Sequence, residues 1–182
     1  MRTAYRILAL TALISACLMR PIYAGKVKTQ TGENIDFSRY KTYQWLPPRV
    51  MTKVGVVEDH PANPVLKEVV GRQLSQKGLN EAADDADLLI QAYVLTESVP
   101  QLEAVIMAEG PGMIYGTPIA NMGRYNREGT LYINLIDRRT KKSAWLAMAK
   151  DSLPNRTLEP DEIRAKLDKA ATNIFKKYPA KK

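Results

Sequence analysis

Few side chains in this 182-residue chain are of the kind that make and break covalent bonds. It has one cysteine, Cys17, and one histidine, His60, so it lacks the set of thiolate and imidazole ligands that a zinc site needs. His60 stands in Asp59-His60-Pro61, which reads as a solvated loop histidine. No serine sits in a nucleophile-elbow pattern. Asp84, Asp85 and Asp87 offer the oxygen donors that hard cations take, but the glycine turn and distal glutamate of a calcium loop are missing. A solvated helix-to-strand connection accounts for them. Gly110-Pro111-Gly112 has a proline where a phosphate cradle needs free N–H donors, which excludes a nucleotide loop there. No metal and no cofactor is expected. Catalysis survives as an alternative only, a periplasmic hydrolase or carbohydrate-active enzyme built from carboxylates distant in sequence.

Two segments suit binding instead. Arg138, Arg139, Lys141 and Lys142 stand at the tip of a predicted hairpin, where each cation is worth about 1 kcal/mol against anionic lipid phosphates. The plain alternative is a charged turn that discourages edge pairing. Residues 104–129 hold five of the ten glycines and three of the seven methionines, with no period of a helix or strand. Met107, Met113, Ile114, Tyr115 and Met122 there form either an adaptable apolar contact surface or a long loop folded over an open sheet face.

The N-terminus supplies an address. Arg2 and Arg6 precede an apolar run from Ile7 to Met19, and Ala24 precedes Gly25, the order of a secretory signal over 1–24. The run is shorter than the roughly 20 apolar residues of a spanning helix. Two cleavage readings stand side by side. Ile14-Ser15-Ala16-Cys17 looks like a bacterial lipobox, which makes Cys17 a lipidation candidate and anchors the chain to the outer membrane. Ordinary cleavage after Ala24 leaves it free in the periplasm. Loss of Arg2, Arg6 and Arg20 with no acid takes the formal charge from +8 to +5, and export removes nucleic acid as a partner.

The elements that must position these groups follow from periodicity. Residues 25–36 are polar and read as a flexible tether. Tyr43 and Trp45 alternate in a first strand ended by Pro47-Pro48, and 49–62 read as a loop. Asn63 as N-cap and Gly78 as terminator bound a helix over Pro64–Lys77. Leu88–Thr96 is apolar on both faces, a central strand covered on both sides. Thr130–Ile136 and Ala144–Ala149 form the basic-tipped hairpin, and Asp161–Lys177 carries an apolar helical stripe. The expectation is one α+β domain over 37–179, a two-layer sandwich in the order β-α-β-β-β-α. Its sheet would be mostly antiparallel, about four strands with both helices on one face.

Phe37-x-x-Tyr40-x-Thr42-Tyr43-x-Trp45, the Asn63-Pro64 helix ending in Lys77-Gly78, the strand start Asp87-Leu88-Leu89, and Gly129-Thr130-Leu131-x-Ile133-x-Leu135-x-Asp137 with Lys141 and Trp145 stand in a characteristic order. Together with Ile174-Phe175-x-x-Tyr178-Pro179 they resemble the bacterial domain-of-unknown-function family DUF4136, found in envelope lipoproteins. The chain departs from the family in the methionine-rich 104–124 segment and in carrying Ala147 after the tryptophan. The resemblance implies an exported, often lipid-anchored, non-enzymatic domain and brings no catalytic residue with it. The expected function is a binding or scaffolding domain of the cell envelope, its partner an envelope protein or membrane lipid. Assembly into an oligomer through a strand edge or the 104–124 segment is a further option.

Overall fold

The computed structural model describes residues 27–52, 55–57, 59–96 and 128–179. Eight strands form one sheet: β1 (Val27–Thr31), β2 (Thr42–Trp45), β3 (Arg49–Thr52), β4 (Gly55–Val57), β5 (Asn80–Glu81), β6 (Leu88–Leu95), β7 (Glu128–Asp137) and β8 (Ser143–Ser152). Two helices, α1 (Ala62–Gln76) and α2 (Pro160–Phe175), and a short 3-10 turn (Phe37–Arg39) complete the described elements. The strand order is β1-β8-β7-β6-β2-β5, with β3 also on β6 and β4 on β3.

The sheet is mixed and larger than the mostly antiparallel sheet of about four strands that periodicity suggests. β1–β8, β8–β7, β7–β6 and β3–β4 are antiparallel, whereas β2 and β3 run parallel to β6. The parallel pairs follow from α1, which crosses over between them and β6. β2 and β3 are in effect one strand cut by Pro47-Pro48. Leu46 N–H still donates to Ile90 O at 2.8 Å, the prolines have no N–H to offer, and pairing resumes at Arg49 opposite Tyr93. The expected loop over 49–62 therefore contains two strands.

The expected tether over 25–36 is corrected in the same way. Val27–Thr31 lines up against Ala149–Trp145 as an edge strand. Its side chains are almost all exposed, so it shows no apolar alternation by which a sequence would reveal it. Gly32 follows, and a Cβ there would meet the Ser143 carbonyl oxygen at 2.6 Å, a close approach that only glycine permits.

Both helices pack on one face, as expected. Leu66, Val70 and Leu74 of α1 and Leu167, Ile174 and Phe175 of α2 meet Ile90, Ile133, Leu135 and Trp145 in one core. The opposite face is closed too: Tyr93, Tyr132, Leu146 and Met148 are buried, in keeping with the doubly apolar run from Leu88.

α1 begins two residues before the expected Pro64 because His60, not Asn63, serves its free amides. His60 Nδ1 accepts the Ala62 N–H at 3.1 Å and its carbonyl accepts the Asn63 N–H at 2.9 Å. Pro61 and Pro64 have no donor to satisfy. His60 is thus a capping residue rather than a free loop histidine. At the other end Gly78 takes φ 75° and Leu79 N–H returns to Leu74 O at 3.1 Å, a Schellman closure. α2 opens with Glu159 N–H donating to Glu162, whose carboxylate also receives both terminal nitrogens of Arg156.

Candidate functional site

The β7–β8 hairpin turns through Asp137-Arg138-Arg139-Thr140-Lys141-Lys142 with Lys141 at φ 60°. Asp137 closes the turn from within. Its Oδ1 accepts the Thr140 N–H at 2.8 Å and its Oδ2 the Tyr40 hydroxyl at 2.9 Å. Burial by itself would raise the Asp137 carboxyl, but these donors outweigh it and hold the group below the usual carboxylate range. Burial, and then the bond to Asp137, push Tyr40 up to about 12, so its hydroxyl stays a neutral donor.

Beside this turn, Asp87 clasps the start of β2. Its Oδ2 accepts Lys41 N–H at 2.8 Å, Thr42 N–H at 3.0 Å and Thr42 Oγ1 at 3.1 Å, while Asp87 N–H donates back to Thr42 Oγ1 at 3.0 Å. Burial opposes ionisation, and these donors again prevail to lower the carboxyl. Asp87 is therefore an anchor rather than part of a solvated acidic connection. Asp85 sits at φ 49° with its carboxylate 3.6 Å from Arg138.

The clasp and the turn bring four cations together. Arg39, Arg138, Arg139 and Lys141 line an open cleft of about 380 Å³ whose floor holds Tyr40, Asp87 and Asp137. Arg138 is committed, donating to Gln44 Oε1 at 3.0 Å. Among the described residues Arg39, Arg139 and Lys141 make no ion pair, and Arg39 lies 5.8 Å over the Tyr40 ring. Three of the four expected basic residues thus share one site. Lys142 is not part of the cleft lining and lies in the turn just before β8. Arg39 has no local signature; it arrives because β2 runs parallel to β6 and sets residues 39–42 beside Asp87.

The cleft supplies positive charge and hydrogen-bond donors, and both oxygens of Asp137 and Oδ2 of Asp87 already face donors. Such an arrangement is chemically suited to an anion such as a phosphate or carboxylate. Among the described residues no group of three or more His, Cys, Asp or Glu could hold a metal ion, and no helix is long and apolar enough to cross a membrane. Cys17 and the segment carrying Met107, Met113, Ile114, Tyr115 and Met122 lie outside the described residues. Tyr40, Tyr43 and Trp145 are buried and Trp45 is half-buried, and Trp145 packs its ring against Phe175 and Tyr178 at 5.8 and 5.3 Å.

Comparison with known proteins agrees with the fold. A DUF4136 family protein from Bacteroides thetaiotaomicron is similar at TM-score 0.59 and 16% identity, over 87% of this chain and 99% of that one. A PelC dodecamer from Paraburkholderia phytofirmans is similar at TM-score 0.51 and 12% identity, with the same coverage of both chains. A PDZ domain protein from Parabacteroides distasonis matches at TM-score 0.51 and 16% identity, over 85% of this chain and 36% of its own. No curated protein sequence matches. The profile of the domain of unknown function DUF4136 matches residues 27–180, from the first residue of β1 to just past the described C-terminal end, and the chain belongs to that family.

Proposed function

We propose that this chain is a non-catalytic binding domain of the bacterial cell envelope, exported by its N-terminal segment and held to a membrane through Cys17. Its basic end takes an anionic envelope partner. The observation that carries this reading is the convergence of Arg39, Arg138, Arg139 and Lys141 on one cleft. Four cations against the two carboxylates of the lining leave a positive excess, which draws in an anionic partner and speeds its encounter.

The topology favours one kind of partner. β1 enters the sheet at Val27, opposite Ala149, at the end of β8 away from the 137–142 turn. A lipid on Cys17, ten residues before Val27, would join the domain at that end, with most of β8 lying between the point of entry and the cleft. An acidic protein or polymer of the envelope suits this arrangement better than the headgroups of the anchoring membrane.

The test is retention of the chain from Gly25 onward on immobilised polyglutamate, with co-sedimentation on phosphatidylglycerol vesicles in parallel. Retention should fall with salt and vanish in Arg139→Glu/Lys141→Glu at an unchanged melting temperature. Equal retention of variant and wild type refutes the reading. Mass spectrometry of the envelope-expressed N-terminus tests the anchor, and a free Gly25 start would count against it.

A second reading is assembly of several copies of the chain, favoured by the likeness in fold to a dodecamer over almost all of that protein's chain. Native mass spectrometry across concentration checks it, and a single-copy mass throughout would count against it.

A further inference from the structure

At the end of the sheet opposite the basic cleft, the two halves of α2 pack differently. Ala171, Ile174 and Phe175 are fully buried against the sheet, whereas Ile163 and Ala170 are only partly so. Beside the first three turns of the helix lies a cavity of about 350 Å³. Its walls are mostly apolar: Val50, Val94, Leu131, Ile163, Leu167 and Ala170 belong to it. That size lies within the range of small-molecule sites.

Of the polar side chains in the lining Thr130 is buried, whereas Lys166 and Asp151 are 31% and 29% exposed and reach solvent. Lys166 donates to Asp151 at 3.2 Å and to the Ser152 carbonyl at 3.0 Å, and Lys169 shares the same Asp151 oxygen at 3.6 Å. Two ammonium groups thus rest on one carboxylate and leave a positive excess. Arg156 is balanced by Glu162. His60 spends Nδ1 on the Ala62 N–H, so its Nε2 carries the proton and is a donor. An apolar interior behind a mouth of net positive charge is complementary to a single-chain amphiphile with a carboxylate head.

We infer that this cavity binds a free fatty acid, its hydrocarbon chain along α2 and its carboxylate at Lys166. The site is independent of the basic cleft, and its failure would leave the anionic-partner reading untouched.

The experiment is titration of the delipidated chain with dansyl-undecanoic acid, followed by displacement with dodecanoate or dodecanol. Wild type should bind one probe per chain, displaced by dodecanoate. Ala170→Trp, which fills the cavity, should abolish saturable binding, and Ile163→Trp does the same test should Ala170→Trp fail to fold. Lys166→Gln should weaken dodecanoate about tenfold, the size of a lost charge-assisted hydrogen bond, and leave dodecanol unchanged. No saturable binding by wild type overturns the inference, as does wild-type binding in a folded cavity-filling variant or equal weakening of acid and alcohol by Lys166→Gln. So does a dimer that Ala170→Trp dissociates and dodecanoate does not.

Discussion

The Tyr40 hydroxyl donates to Asp137 Oδ2 at 2.9 Å across 97 positions of sequence, in a buried contact. It ties the segment entering β2 to the turn that carries the basic residues. Hydrogen bonds to charged groups contribute about 1.5–3 kcal/mol net. Tyr40→Phe should therefore lower the free energy of urea unfolding by about that amount and, in a double-mutant cycle with Asp137→Asn, show coupling. A Tyr40→Phe midpoint equal to wild type would mean the bond adds nothing.

The same pairing sets the pH response. Asp87 and Asp137 have folded carboxyl pKa values below their ordinary range, so their contribution is present above an unfolded value of about 4 and is lost as pH falls through the folded values. Acid titration of the melting temperature should thus be less steep for Asp87→Asn than for wild type. Tyr40 has the opposite sign. Held up to about 12, it favours the fold while neutral and loses that contribution between its unfolded value near 10 and about 12. The alkaline loss should be smaller in Tyr40→Phe, with Tyr178, also pushed up to about 12 by burial, still contributing, and an identical alkaline profile would contradict it.

How far the sequence could be read depended on whether an element buries a face. The helices, β6 and the β7–β8 hairpin carry apolar stripes such as Ile163, Leu167 and Ile174 or Leu131, Ile133 and Leu135, and periodicity finds them. β1 buries almost nothing, β3 and β4 follow two prolines, and β5 is two residues long, so none leaves a period to detect. The parallel pairing was hidden for a different reason. It depends on where α1 delivers β6, a tertiary choice made by the packing of Leu66, Val70 and Leu74. The site was half legible: the basic run from Arg138 is visible as composition, whereas Arg39, Asp87 and Tyr40 join it only through that long-range pairing.

Gly78 offers a clean backbone test. At φ 75° a side chain meets strain that glycine avoids, and the residue is exposed, so nothing else changes on substitution. Gly78→Ala should cost about 1–2 kcal/mol in unfolding free energy, with fraying of the last turn of α1 seen in amide exchange at Leu79. A change of a few tenths would imply that the Schellman closure contributes little.

Trp145 is the largest fully buried side chain among the described residues. It is fully buried, meets Phe175 and Tyr178 at 5.8 and 5.3 Å, and its backbone pairs with both Thr31 of β1 and Leu135 of β7. Trp145→Ala removes the contact between α2 and the sheet at the point where β1 is held, and such a truncation costs about 3–5 kcal/mol. Against a total stability of about 5–15 kcal/mol for a domain of this size, that is enough to populate the unfolded chain in mild urea. The half-buried Trp45 remains as the fluorescence reporter for this variant, and a urea midpoint near that of wild type would show that the aromatic cluster is not what fastens α2.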